Sequence, residues 1–266
     1  MKKIKLNDGT PIYCLKENEA IVLDEHIKGY LGYNIKIKNG DNIVDIGANI
    51  GMLGIRLSKD FNNINIYAFE PIPEIYKVLE KNANISSNKK FKTYMKGVSN
   101  INTELIFTYY PNSPALSTAQ PELWEEDHNN FISAVQGNIK NAPKSFWWAK
   151  FIPDFLTPLI AKYLTSNSKK IKSSVITLSS FITSEKIRKI DLLKIDCEGE
   201  EINVLKGIKK NHWQLIKSII MEVNDVNNNM KKAKNILIKA GFRNIKVDKE
   251  KGFEKTKLAN IYATRN

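Results

Sequence analysis

The stretch NIVDIGANIGMLGIRL, residues 42–57, decides the fold. An apolar run ends at Asp45, the chain passes Gly47 and Gly51, and an apolar pattern then resumes with helical spacing. A continuous apolar run is typical of a buried strand, and apolar residues three and four apart indicate a helix. Glycine permits a tight turn and lets a ligand approach the main chain closely. The stretch therefore predicts a strand, a turn suited to a ligand, and a helix from Ile50 to about Lys59.

The same alternation continues along the chain. Helices are predicted at residues 72–84, 200–208 and 230–240, and strands at residues 64–71, 91–99, 190–199, 216–225, 243–250 and 259–265. Strands that are continuously apolar and separated by helices indicate a parallel sheet covered on both faces. We predict a doubly wound α/β domain.

Three segments organise this domain. Residues 1–40 read as a lead-in, with a helix at Glu17–Lys28 and a strand at YNIKIK, residues 33–38. Residues 41–100 and 171–266 form the predicted core. Residues 101–170 interrupt the alternation of strands and helices between the third and fourth core strands. This insertion has a strand-like start and a helical, acid-rich stretch at residues 122–139. An insertion of this length is usually a lid or a specificity element.

Composition narrows the class of protein. The chain has 266 residues, 42% of them hydrophobic, enough for one main core. Its two cysteines suggest neither a disulfide framework nor a metal cluster, and no apolar run resembles a signal peptide or a membrane span. The net charge of +13 comes mainly from lysines spread along the chain, without interleaved arginines and aromatics. We expect a soluble, cytoplasmic protein with no nucleic-acid partner and no integral membrane association.

The glycine turn has its own spacing. It lacks the G-x-G-x-x-G pattern of dinucleotide sites, which argues against a nicotinamide dehydrogenase. The carboxylate of Asp45 would repel a pyrophosphate but suits a cofactor with an ammonium and a sulfonium, which favours S-adenosylmethionine. Glu70 ends the next strand, about twenty residues on, where an acid can accept hydrogen bonds from ribose hydroxyls.

Four stretches carry a resemblance to a known family. NIVDIGANIGMLGIRL, YAFEPIPEIYKVLEKNA, IDLLKIDCEGEEINVLKGI and IIMEV resemble the FkbM-type family of S-adenosylmethionine-dependent methyltransferases. FTYYPNSPALST and LANIYATR are similar to the branch that acts on polyketide and peptide natural products. The resemblance implies a class I methyltransferase fold with seven strands, and methylation of a hydroxyl. Other members methylate sugars, so a glycan O-methyltransferase stays open, as does an inactive cofactor-binding partner protein.

The resemblance and the strand ends together define an expected cofactor site. The resemblance also implies that the strand of LLKIDCEGEE lies beside the glycine-turn strand, so that Asp196 faces the methyl group or its acceptor. The expected cofactor-binding residues are Asp45, Gly47, Ala48, Asn49, Gly51, Glu70, Pro71, Val98 and Asp196.

The candidate catalytic residues are Asp196, Glu222, Asn224 and His128. In the polyketide branch we expect EVHD, and this chain has Asn224 where that branch has histidine. If that histidine is the usual base, Glu222, Asp196 or His128 must take its place here. Asp196, Glu222 and Asn224 can also form an oxygen-rich Mg²⁺ site, but we expect no metal. We interpret Glu200 and Glu201 as ordinary acids of a helix's first turn, and His26 and His212 as residues away from the site.

Acceptor contacts are expected from three places. SPALST supplies Ser117 and Thr118, and Glu198 follows Asp196. KSFWWAKFIPDFLTPLI, residues 144–160, supplies Trp147 and Trp148 as a lid core, an apolar acceptor wall or an interfacial surface. Prolines in this stretch argue against a long membrane-binding helix, and ordinary lid packing is the preferred interpretation. The acceptor is a small molecule, free or tethered to a carrier protein whose usual acidity would complement the basic surface.

Overall fold

The computed structural model describes residues 1–33, 35–122, 128–249, 254 and 256–265. The strands are β1 Lys2–Lys5, β2 Pro11–Cys14, β3 Asn42–Ile46, β4 Asn65–Phe69, β5 Phe91–Tyr94, β6 Gly97–Ser99, β7 Thr103–Tyr109, β8 Lys169–Thr177, β9 Ile190–Ile195, β10 Ile216–Asn224, β11 Asn244–Asp248 and β12 Leu258–Thr264. The helices are α1 Glu17–Lys28, α2 Met52–Asp60, α3 Pro73–Ile85, α4 His128–Lys140, α5 Thr157–Thr165, α6 Leu178–Ser184, α7 Glu201–Lys206 and α8 Asn229–Lys239. Short 3₁₀ turns include Lys144–Phe151 and Asp154–Leu156.

A seven-stranded sheet forms the centre of the molecule, in the order β11-β12-β10-β9-β3-β4-β5. Five neighbouring strands of this sheet run parallel: β10, β9, β3, β4 and β5. Strand β12 is antiparallel to both of its neighbours, β10 and β11. Strand order reverses between β3 and β9, which are hydrogen-bonded neighbours. The predicted α/β class and the predicted neighbour of the glycine-turn strand are both confirmed.

Burial explains why these segments form strands. Every residue of β9 is buried, and so are four of the five residues of β3. Apolar residues from the sheet and its flanking helices form two large clusters. Hydrophobic burial on both faces therefore holds the centre of the sheet.

The predicted third core strand is divided in two. Its first half is β5 of the central sheet, but its second half, β6, joins a separate three-stranded sheet in the order β6-β8-β7. The chain leaves the first sheet after Tyr94 and enters the second at Gly97. A Cβ at Gly97 would lie 2.9 Å from Val175 Cγ1, so the close approach of β6 to β8 requires a small residue there.

The lead-in also differs from its prediction. Residues 35–38 are not a strand, and Asn34 lies outside the described residues. The Ile35 amide donates to the Gly32 carbonyl in a turn, so burial of the Ile35 side chain, rather than pairing with another strand, explains the apolar pattern. Sequence reasoning missed the β1–β2 hairpin, which Asn82 fastens to α3 through hydrogen bonds with the Tyr13 backbone.

Among the helices of the described residues, we find none with the length and hydrophobicity of a membrane-spanning segment.

Candidate functional site

The carboxyl ends of β3, β4, β9 and β10 open into a cavity of about 870 Å³. This is the edge where open α/β sheets bind ligands, and the volume lies in the range of small-molecule sites. Many of the predicted site residues line this cavity. They are Asp45, Gly47, Ala48, Asn49, Glu70, Pro71, Val98, Ser117, Trp148, Asp196, Glu198 and Glu222.

The glycine turn is pressed against the end of β9. Gly47, Asn49 and Gly51 all have left-handed backbone conformations, with φ of 72°, 50° and 84°. A Cβ at Gly47 would lie 1.7 Å from the Asp196 carbonyl oxygen, far inside van der Waals contact. Only glycine fits there, and the contact fixes the turn relative to Asp196.

Glu70 braces the same turn from β4. Its carboxylate accepts hydrogen bonds from the Asn49 amide at 3.1 Å and the Ile72 amide at 3.0 Å. The side chain is buried, and burial raises the pKa of Glu70 to about 7 even though both amides favour the ionised form. Glu70 therefore changes charge near neutral pH at the wall of the cavity.

Lys194 is the central cation of the site, and sequence reasoning gave it no role. Its ammonium donates to the Gly47 carbonyl at 2.7 Å and lies 3.2 Å from Asp45 Oδ1 and 3.4 Å from Asp196 Oδ2. Burial alone would lower the pKa of Lys194, but attraction to the two carboxylates outweighs it and leaves the pKa above its ordinary value. The feature of the sequence that could have revealed Lys194 is a lysine inside the mostly apolar stretch IDLLKI.

This ion pair changes the argument about Asp45. Burial raises the pKa of the Asp45 carboxyl, and Lys194 opposes that shift. Because Lys194 already provides a positive charge, Asp45 does not face the cavity as an isolated anion. Its main contact instead joins β3, the glycine turn and β9.

Three acids of the cavity lining lie close together. Asp196, Glu198 and Glu222 each place a carboxylate oxygen within 4.8 Å of the others. Burial, and then the charges of Asp196 and Glu222, raise the pKa of Glu198 well above its ordinary value. The cluster suits a cationic group, organic or metallic. Our expectation of no metal remains a prediction.

Two further acids hold the loop that carries Asp196 and Glu198. Glu201 accepts hydrogen bonds from the amides of Cys197 and Gly199 at 3.1 and 2.9 Å. Glu200 accepts from Ser99 Oγ and from Gln120 Nε2, both at 2.7 Å. Both side chains are buried. Their interpretation as ordinary first-turn acids is wrong, because Glu201 satisfies backbone amides of the loop and Glu200 binds side chains from two other segments.

Five predicted site residues do not line the cavity: Gly51, Thr118, Asn224, His128 and Trp147. Gly51 makes the left-handed turn before α2. The buried Thr118 hydroxyl donates to the Glu198 carbonyl, so it positions a loop rather than offering a contact to an acceptor. Asn224 is buried at the end of β10, and His128 is exposed on α4. The geometry gives no support for His128 as the base.

The aromatic stretch is not packed as an ordinary lid core. Trp148 lines the cavity, yet Trp147, Trp148, Phe151 and Phe155 are all exposed. The preferred interpretation of residues 144–160 as lid packing is therefore wrong for these side chains. Residues 123–127, part of the predicted acid-rich helix, lie outside the described residues.

Helix α1 and the turn that follows it contribute residues that sequence reasoning missed. The Tyr30 hydroxyl donates to Asp196 Oδ2 at 3.1 Å, and His26 also lines the cavity. The expectation that His26 lies away from the site is wrong. Glu19 accepts hydrogen bonds from Ser113 Oγ at 3.0 Å and the Ala115 amide at 2.9 Å, and burial raises its pKa to about 7. The apolar spacing in α1 predicts a helix, but it does not predict the contacts that residues outside the apolar face make with the cavity.

The seven-stranded sheet, with its site at the reversal between β3 and β9, defines a class I methyltransferase fold. Residues 45–244 match the family described as the methyltransferase FkbM domain. The chain belongs to this family.

Relatives agree with this assignment, and a solved structure shares the fold. The chain is 28% identical to "Methyltransferase 1" of Beauveria bassiana, over 91% of this chain and 89% of the relative. It is 25% identical to "31-O-demethyl-FK506 methyltransferase FkbM" of Streptomyces tacrolimicus, over 100% and 97%. The solved structure of methyltransferase FkbM from Methylobacillus flagellatus KT aligns with a TM-score of 0.50 and 11% identity, over 93% of this chain and 56% of that one.

Proposed function

We propose that this chain is an S-adenosylmethionine-dependent O-methyltransferase that acts on a hydroxyl of a natural-product intermediate. One observation carries the proposal: the glycine turn, Glu70 and Asp196 end three adjacent strands and line a single cavity. A turn that exposes its backbone, an acid for ribose hydroxyls and an acid near the transferred group are what such a cofactor requires.

The charges at the cavity fit that cofactor. Lys194 pairs with Asp45, while Asp196, Glu198 and Glu222 place three acids close together. The cavity lining contains more acids than lysines, which favours a ligand with an ammonium and a sulfonium. When bound, the cofactor supplies a methyl group on a positively charged sulfur.

The other half of the cavity favours an apolar acceptor. Its lining from the insertion is largely hydrophobic: Leu116, Phe131, Ala134, Val135, Ile139, Phe146, Trp148, Ile160 and Leu164. A sugar would leave its hydroxyls facing these walls without partners, at a cost for each buried polar group. This lining, and the natural-product relative from Streptomyces tacrolimicus, support a polyketide-like or peptide-like acceptor, free or carrier-bound, over a glycan.

The acids of the cavity lining differ in their suitability as the base that removes the proton of the acceptor hydroxyl. Asp196 and Glu222 are the candidate bases, because both line the cavity beside the switch point. Burial and the neighbouring carboxylates of Asp196 and Glu222 raise the pKa of Glu198, which makes it a weaker candidate for the base. Tyr30 positions Asp196 through the hydrogen bond from its hydroxyl. A base within hydrogen-bond reach of the acceptor typically contributes ~10²–10⁴-fold to the rate.

Calorimetric titration with S-adenosylhomocysteine tests the cofactor assignment. We expect binding to the unaltered chain, and affinity lower by about 10–100-fold in Glu70→Gln, because a hydrogen bond to a charged group contributes roughly 1.5–3 kcal/mol. Glu80→Gln makes the same change at an exposed position on α3 and should leave affinity unchanged. Absence of binding to the unaltered chain would overturn the proposed function.

The affinity for S-adenosylhomocysteine should also depend on pH. Glu70 has a pKa of about 7 in the free protein, and donation from ribose hydroxyls favours its ionised form, so binding lowers that pKa. Below about pH 7 binding then releases a proton, and affinity should rise with pH by up to about tenfold per unit before levelling off. Titrations across this range should show a flatter profile for Glu70→Gln. An equally steep profile in that variant would assign the effect to another acid.

A further inference from the structure

The insertion carries a surface that methyl transfer does not explain. Fourteen large hydrophobic side chains are exposed in the described part of the chain, and six of them lie between residues 147 and 163. These six, named here the aromatic patch, are Trp147, Trp148, Phe151, Phe155, Leu159 and Tyr163, with between 53 and 75% of each residue exposed. Exposed apolar patches on soluble domains usually mark sites of interaction.

Local structure explains why these side chains face outward. Pro153 separates the two 3₁₀ turns, and Pro158 lies in the first turn of the short helix α5. Leu159 and Tyr163 are four residues apart and share one face of α5, while the rings of Trp147 and Phe151 meet edge to face at 5.9 Å. The prolines rule out one long amphipathic helix, yet folded turns present the same aromatic side chains to solvent.

The charge around the aromatic patch is mainly positive. Between residues 140 and 166 the chain has four lysines, Lys140, Lys144, Lys150 and Lys162, and one acid, Asp154. Asp154 is paired with Lys140 at 3.0 Å. The other three lysines are exposed and make the patch positively charged. Aromatic and aliphatic side chains beside lysines match the interface of an anionic bilayer, where rings enter the headgroup region and ammonium groups meet lipid phosphates.

We propose that the aromatic patch docks this protein onto an anionic phospholipid surface. The composition favours lipid over protein, because protein interfaces are depleted in lysine and enriched in arginine, and residues 140–166 contain no arginine. A two-fold contact between copies would bring like-charged lysines together. Trp148 and Tyr163 belong to both the patch and the cavity lining, so docking places that part of the cavity wall at the membrane.

Vesicle sedimentation with the full chain tests this proposal. We expect the protein to bind phosphatidylglycerol-containing vesicles more tightly than pure phosphatidylcholine vesicles. The Phe151→Ser, Phe155→Ser double variant should reduce partitioning on the order of tenfold or more, since it removes two rings from the interface. The Ile106→Ser, Ile238→Ser double variant alters two side chains with similar exposure elsewhere and should bind like the unaltered chain.

Charge is tested separately, with circular dichroism verifying the fold of each variant. Replacing Lys144, Lys150 and Lys162 by glutamine should weaken binding to anionic vesicles, whereas replacing the exposed Lys89, Lys210 and Lys231 should weaken it less. Equal losses in the two triple variants would reduce the effect to net charge and overturn the proposal. So would absence of vesicle binding, patch-dependent dimers in ultracentrifugation, or patch-dependent binding of a purified acidic carrier protein without vesicle binding.

Discussion

Gly47→Ala should abolish measurable cofactor binding while leaving a folded protein. The new Cβ would lie 1.7 Å from the Asp196 carbonyl oxygen, and backbone on both sides prevents a small adjustment. The turn must therefore move away from β9, which displaces the backbone that the cofactor contacts, and a displacement of about 1 Å at such a site can also cost on the order of 100-fold in rate. Calorimetry with S-adenosylhomocysteine and a urea denaturation curve measure the two effects separately, with a stability loss of roughly 1–3 kcal/mol.

Gly40→Ala is the matched control. Gly40 also has a left-handed backbone, with φ of 91°, but nothing lies within 4 Å of the Cβ that alanine would add. It should therefore lose only about 1–2 kcal/mol of stability from backbone strain and keep its affinity. If the two variants bind the cofactor equally well, contact between the turn and Asp196 does not shape the site.

Lys194→Met should be the most destabilising single substitution in the site. It removes the ammonium that pairs with Asp45 and Asp196 and donates to the Gly47 carbonyl. Breaking a buried ion pair from one side leaves an uncompensated charge and costs about 3–5 kcal/mol. Urea unfolding at neutral pH measures this loss in the free energy of unfolding.

Lys189→Met provides the comparison. Lys189 is exposed but pairs with a buried acid, Asp191, at 2.5 Å, and such partly exposed pairs contribute about 0–1 kcal/mol. Adding Asp45→Asn to Lys194→Met should recover part of the lost stability, because it removes one of the two carboxylate charges that Lys194 had paired. Similar losses in Lys194→Met and Lys189→Met would contradict the central role of Lys194.

The strand ends were predictable from sequence because burial and connectivity determine them together. The runs before Asp45 and Asp196 are mostly apolar, and each leads into a glycine-containing loop and then a helix. In a parallel sheet such ends share one edge, so Asp45, Glu70 and Asp196 were expected together. The structure places all three in the cavity lining.

Contacts between distant segments were not predictable in the same way. The link from Tyr30 to Asp196 joins residues 166 positions apart, and no local pattern specifies it. The exposure of Trp147 also escaped prediction, because an aromatic run has the same composition whether it packs inside or faces solvent. Ile35 shows the opposite error, since its apolar alternation reflects burial in a turn rather than a strand.

The pairing of β3 with β9 has a consequence for synthesis on the ribosome. Val44 pairs with Leu193, 149 residues later, so β3 emerges long before its central neighbour exists. At translation rates of roughly 5–20 residues per second, one edge of β3 waits on the order of ten seconds without a partner. Nascent chains are therefore exposed during this interval to misfolding and chaperone capture through that edge. Slowing elongation within the insertion should lengthen the interval and lower the yield of folded protein.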